Sequence, residues 1–119
     1  MISFVSREPR MPSPIRPLDL KARLSADPLR VYLLDVRQPQ EHEFAAIPGD
    51  KLIPLDELPG RAREIDLAPG QTLVVYCHHG VRSWHAACFL EAQGFEGVMS
   101  LSGGIEAYSV EVDPAIPRY

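Results

Sequence analysis

Hydrophobic positions in this chain follow two periods. Four short runs, at 31–36, 51–54, 73–76 and 97–101, have the length of strands. In the third, Leu73, Val74, Val75 and Tyr76 are all apolar, partly β-branched and aromatic, as in a strand buried on both faces. Helical spacing fills the gaps. Leu18, Leu20 and Leu24 follow Pro17, a favourable first helical position, and predict a short amphipathic helix. Residues 39–44 predict a second short helix, and 56–65 one or two turns interrupted by Pro59. The stretch 84–93 predicts a helix with Ser83 as N-cap and Gly94 as its stop. Pro69-Gly70 predicts a turn before the third run, and Gly103-Gly104 a tight turn into a final helix at 105–110. Strands alternating with helices predict an α/β fold, a small parallel β-sheet flanked by helices on both faces.

The ends of the chain carry less pattern. Residues 1–14 hold Pro9, Pro12 and Pro14 without sustained periodicity and read as a loosely ordered leader. Met11 reads as an alternative start, because every recognisable element follows it. Residues 113–119, with Pro114 and Pro117, read as a tail along the surface. At 119 residues the chain has no room for two cores, so 15–119 is expected to form one domain.

Composition narrows the function class. The hydrophobic fraction of 45% is ordinary for a soluble globular chain. A net charge of −4 argues against a nucleic-acid or anionic-membrane surface. No apolar run approaches a bilayer span, and no signal-peptide core is visible. Cys77 and Cys88, the two cysteines, do not suggest a disulfide framework, and a reducing, cytoplasmic setting fits them.

The candidate chemistry lies where the third run ends. Cys77-His78-His79-Gly80-Val81-Arg82-Ser83 leads from a buried strand into a helix N-terminus. Helix starts leave N–H groups without partners, and a Gly-containing loop turns more of them inward as an anion nest. Arg82 adds a permanent charge, and His78 and His79 add partial ones. The pattern describes an activated sulfur nucleophile in an anion cradle. Cys88, among Ala86, Ala87, Phe89 and Leu90, reads as a core thiol without a catalytic role. Adjacent histidines on a tight loop diverge, and His85 alone does not complete a tetrahedral set, so no metal is expected. Trp84 reads as an aromatic beside the site. Asp35 and Arg37 end the run at 31–36, at the strand edge where ligands bind in open α/β sheets. They are expected behind the site, as an ion pair that holds loops, with direct contact to substrate as the alternative. Four residues separate Cys77 from Arg82. Cysteine phosphatases hold phosphate in a longer Cys-x5-Arg loop, so the shorter ring here suits a terminal sulfur better than a phosphoryl group.

The loop 77–83 resembles the active-site loop of the rhodanese family of sulfurtransferases. The likeness extends to Leu33-Leu34-Asp35-Val36-Arg37 with Glu41, to Ile47-Pro48-Gly49 and Ile53-Pro54-Leu55, and to the stretch from Leu101 to Tyr108. These matches run in the family's order over roughly residues 15 to 110. Ala46 stands where many members have His, and Tyr108 where many have Trp. The resemblance implies a thiosulfate:cyanide type of sulfurtransferase without a cofactor. Cys77 would attack the outer sulfur of a small anionic donor such as thiosulfate and carry it as a persulfide, held by the N–H groups from His78 to Ser83. Cyanide in vitro, and a small thiol or protein cysteine in the cell, would accept the sulfur. The alternatives are a persulfide-relay or docking module fed by a protein donor, and a small cysteine phosphatase or arsenate reductase.

Overall fold

The run at 73–76 becomes most of β4 (Thr72–Tyr76), the middle strand of five. The computed structural model describes residues 11–119. Its strands are β1 (Ser13–Ile15), β2 (Val31–Asp35), β3 (Lys51–Leu52), β4 and β5 (Met99–Leu101). All pairs are parallel, in the order β1-β5-β4-β2-β3. The helices are α1 (Pro17–Ala26), α2 (Pro39–Phe44), α3 (Leu58–Arg61), α4 (Val81–Ala92) and α5 (Gly104–Glu111). The parallel α/β sheet expected from the alternation of periods is therefore present.

Strand side chains alternate between faces. Leu73, Val75 and Cys77 pack with Leu34, Ala86, Ala87 and Leu90 on the α4 side. Val74 and Tyr76 pack with Leu20, Leu33, Leu101, Ile105 and Tyr108 on the other side, under α1 and α5. One uniformly apolar run thus supplies two cores. Burying each such Val or Leu contributes ~1.5–3 kcal/mol relative to exposure. Ala86 and Ala87 are small enough to let α4 lie close on the sheet. Cys88 is only half-buried, on the flank of that contact face, and not in the core as expected.

Two boundaries differ from the sequence reading. β1 begins inside the stretch expected as leader and ends one residue beyond it, where Ser13 donates its N–H to Val98 and Ile15 accepts from Ser102. Three residues with a central proline carry no period, and Pro14 is tolerated because this is an edge strand. The rest of that expectation, 1–10, lies outside the described residues. Helix α4 begins at Val81, so Ser83 is its third residue and Gly80 its N-cap. At the other end Gly94, at φ +106°, donates to Glu91 while Phe95 donates to Leu90, the closure a C′ glycine allows.

All strands run the same way, so the segments after β2, β4 and β5 emerge at one edge of the sheet. That edge carries Asp35 and α2, the loop after Tyr76, and the Gly103-Gly104 turn into α5.

Candidate active site

Cys77 follows the last residue of β4 and is 1% exposed. Its phase with Leu73 and Val75 sends the side chain toward α4. The Sγ atom accepts N–H groups from Gly80 at 3.1 Å and Ser83 at 3.3 Å. These are loop and helix-start donors, and the positive end of the α4 dipole lies behind them. Gly80 sits at φ +109°, and a Cβ there would stand 3.3 Å from the Gly103 nitrogen. This glycine bends the chain so sharply that Val81, Arg82 and Ser83 already form the first turn of α4. Ser83 therefore does not cap the helix with its hydroxyl. Its Oγ lies 3.2 Å from the Gly80 carbonyl, 2.8 Å from Ser100 Oγ and 3.5 Å from the sulfur. Its backbone N–H is free to reach the sulfur.

The carbonyl side of the loop is held by α5. Ile105 donates its N–H to the Cys77 carbonyl at 2.9 Å, and Glu106 to that of His78 at 3.1 Å. In a trans peptide the N–H opposes the C=O, so this anchorage turns the N–H groups of His78 and His79 away from α5. The Gly103-Gly104 doublet provides the access, with both residues at positive φ.

Two ion pairs stand beside the loop. Arg82 grips both carboxylate oxygens of Glu41, at 2.7 and 2.9 Å. Glu41 also accepts the Gln38 N–H at the start of α2. Arg82 holds this carboxyl down at about 2, against the opposing effect of burial and with help from Gln38 and Tyr119. Deeper in, Arg37 forks onto Asp35 at 2.9 and 2.8 Å, and both side chains are fully buried. Arg37 also reaches the Ala45 carbonyl at 2.6 Å and the Tyr119 hydroxyl at 2.7 Å. Burial opposes the Arg37 charge, but Asp35 and Tyr119 outweigh it and raise its pKa.

His42 Nδ1 approaches Asp35 at 2.9 Å and Asp50 at 3.5 Å, and the Tyr76 hydroxyl donates to Asp50. Ligand-type atoms of Asp35, His42 and Asp50 lie within 4.8 Å of one another. Arg37 donates to Asp35 and Tyr76 to Asp50, so these groups form a polar network that already engages donors of the fold. Burial raises the Tyr76 phenol, helped by Asp35 and Asp50, and raises the Asp50 carboxyl.

The residues singled out in the sequence thus fall into three groups. Cys77, Gly80 and Ser83 converge on the sulfur. Arg82 stands beside them but is engaged by Glu41, so its charge is not free to face the loop. Asp35 and Arg37 lie beneath, linked to each other and to loop carbonyls. His78 stacks on Tyr119 at a ring-centroid distance of 3.9 Å, and its ring lies 3.8 Å from that of His79 at a 31° tilt, so the two adjacent histidines do not diverge, contrary to expectation. Burial, with His79 beside it, lowers the His78 pKa, which disfavours the partial charge expected of it. Val81 and His79 project outward, Val81 at 66% exposure, and Trp84 is half-buried.

Three contributors had been given no role at the site from sequence. Glu41 had a visible signal, the Gln38-x-x-Glu41 spacing of a capping box. Gly104 had one in the glycine doublet. Tyr119 had none, because its contacts with Glu41 and Arg37 span 78 and 82 positions of sequence.

Comparison with known proteins agrees with this geometry. The family described as rhodanese-like domain matches residues 16–111. The chain is 45% identical over 89 residues to the chloroplastic rhodanese-like/PpiC domain-containing protein 12 of Arabidopsis thaliana, covering 73% of this chain and 30% of that protein. It is 30% identical over 88 residues to the thiosulfate sulfurtransferase GlpE of Pseudoalteromonas translucida, covering 74% and 82% respectively. Among solved structures, a rhodanese-related protein from Thermoplasma volcanium superposes with a TM-score of 0.75 at 29% identity, covering 90% of this chain and 99% of that one. The chain spans less than a third of the length of the first three relatives it matches, at 30%, 31% and 27%.

Proposed function

Because this chain belongs to the rhodanese-like family, we propose that it is a sulfurtransferase that moves one sulfane sulfur through a persulfide on Cys77. The observation that carries this reading is the environment of Cys77 Sγ, which accepts N–H groups from both Gly80 and Ser83 at the start of α4.

In the first step the Cys77 thiolate attacks the outer sulfur of thiosulfate. A new S–S bond forms at Cys77, the S–S bond of thiosulfate breaks, and sulfite leaves with the electron pair. In the second step a nucleophile attacks the outer persulfide sulfur. Cyanide leaves as thiocyanate, or a thiolate as its persulfide, and Cys77 returns as thiolate. No net oxidation occurs, and no cofactor is required. The two steps share one covalent intermediate, so the kinetics are ping-pong.

Fixed N–H donors serve both steps. They are oriented before reaction and aim at sulfur that carries negative charge in the thiolate, in the persulfide and in the transition states between them. His78 and His79 flank the first donor positions. Arg82 steadies the far end of the loop through Glu41, and the Asp35–Arg37 pair fixes the segments beneath. The network Asp35, His42 and Asp50 holds no metal role in this scheme. A reducing compartment such as the cytoplasm keeps Cys77 and Cys88 as thiols.

The test is the intact mass of the protein after incubation with thiosulfate. A gain of one sulfur atom, absent in Cys77→Ser and removed by cyanide with release of thiocyanate, is the expected result. A persulfide that forms from a protein donor but never from thiosulfate would replace this reading with a relay role. Turnover of a phosphate ester without any sulfur adduct would replace it with a phosphatase.

A further inference from the structure

The segment 113–119 follows α5 and lies along the surface with three anchors. Ser109 Oγ donates to the Ile116 carbonyl at 2.6 Å, and the Ile116 side chain is buried with Ile105 and Tyr108. Arg118 Nε meets Glu106 of α5 at 3.0 Å. Tyr119 then makes contacts on the far side of the loop. Its ring stacks on His78 with an interplanar angle of 8°, and Phe44 meets it edge-on at 5.8 Å. Its hydroxyl accepts from Arg37 and donates to Glu41, each at 2.7 Å.

These anchors define a path. Helix α5 follows β5, the Cys77 loop follows β4, and α2 follows β2, and these strands are neighbours in the order β5-β4-β2. The segment therefore crosses the carboxyl edge of the sheet from one neighbour of β4 to the other. It passes the end of β4 at His78, the residue after Cys77, on whose ring Tyr119 stacks. In open parallel sheets this is the edge that ligands approach. Tyr119 is tied to both ends of the loop, to His78 through its ring and to Arg82 through Glu41. Its ring is held by Phe44 at the end of α2 and by His78 of the loop, while the residue as a whole remains 42% exposed.

We propose that residues 113–119 form a strap across the approach to Cys77, and that the Tyr119 ring sets the size of molecule that reaches the sulfur. The proposal rests on Cys77 being the reacting thiol and names the substrate class of that site. With the strap in place the site takes small donors and acceptors, such as an inorganic anion or a low-molecular-weight thiol. A cysteine on the surface of a folded protein is kept out.

The test uses the full chain in a Cys88→Ser background, where Cys77 is the one remaining thiol. Rates of Cys77 modification are measured by intact mass with N-ethylmaleimide and with a maleimide carrying a long polyethylene glycol chain. Each rate is normalised to that reagent's rate with glutathione. The bulky-to-small ratio should rise at least about tenfold in Tyr119→Ala, a change of ~1.4 kcal/mol in relative barriers. It should stay near the parent value in Tyr119→Phe, which keeps the ring. A ratio unchanged in a folded Tyr119→Ala variant overturns the proposal, as does an equal rise in both variants. If Tyr119→Ala does not fold, Arg118→Ala decides. Arg118 is an exposed anchor, and its loss should raise the ratio at least about threefold, with no rise overturning the strap. None of these readouts needs sulfur turnover. Failure of the persulfide assay and failure of the strap are therefore separate results.

Discussion

The backbone of Gly104 approaches the loop so closely that a Cβ on it would stand 2.5 Å from the Cys77 carbonyl oxygen. The His78 carbonyl oxygen would be nearer still. Both neighbours are backbone atoms, held there by the N–H groups of Ile105 and Glu106. They cannot rotate aside as a side chain would.

Gly104→Ala should therefore damage the site more than the fold. An added methyl in a tight place costs ~1–3 kcal/mol, and a non-glycine residue at positive φ adds to that. Part of this strain should be relieved by pushing the loop away from α5, which misaligns the donors on Cys77. The expected outcome is a fall in sulfur transfer of at least about tenfold, beyond what the loss of folded protein explains. Thiosulfate turnover and a urea melt on the same sample check it. Full activity with lowered stability would show that the loop does not depend on this contact.

The two cysteines should separate cleanly. Cys77→Ser is expected to abolish sulfur transfer and leave the circular dichroism spectrum unchanged, since the hydroxyl fits the same space. Cys88→Ser is expected to keep activity, and its half-buried position predicts a small stability loss of about 1 kcal/mol or less. The reverse pattern of activities would mean that the nucleophile is misassigned.

Arg37→Leu should be among the most destabilising single changes in the described chain. It leaves the Asp35 carboxylate buried beside Asp50 with His42 as its one remaining side-chain partner, and it takes a donor away from the Ala45 carbonyl and from the Tyr119 hydroxyl. Removing one partner of a buried pair costs ~3–5 kcal/mol. The double variant Asp35→Leu/Arg37→Leu should recover part of that loss, because it removes the stranded charge. Denaturant midpoints of both variants measure the difference, and no recovery in the double variant would argue against a stranded charge as the cause.

Glu41 predicts an acid limb of stability. Its carboxyl sits at about 2 in the folded chain, below its ordinary value of 4.5, chiefly because of the hydrogen bonds from Arg82. As pH falls, the unfolded chain takes up this proton first. The contribution of the pair is therefore full above about pH 4.5 and is lost as pH falls through about 2. Glu41→Gln should be less stable than the parent near neutral pH, and the gap should narrow across that window. Urea melts at several pH values follow the gap directly. A gap that stays constant with pH would mean that the Glu41 charge is not what stabilises the pair.

How far the chain was legible depends on the range of the interactions involved. The four runs overlap four of the five strands, most plainly at β2 and β4, where burial on both faces demands an almost unbroken apolar run. The strand β1 went unseen because three residues with one buried side chain, Ile15, carry no period. The start of α4 was misplaced because Ser83 has the chemistry of a cap. Only the sharp bend at Gly80, packed against Gly103, shows that the helix begins before it.

For the site, local sequence was enough to pick out Cys77, its glycine-bearing loop and the helix behind it. Those interactions close within six positions and need nothing from elsewhere. The destination of Arg82, the anchoring of loop carbonyls by α5 and the reach of Tyr119 to Arg37 and Glu41 were decided by tertiary structure alone. They join segments that follow three different strands, and such segments meet only because parallel strands deliver their carboxyl ends to a single edge.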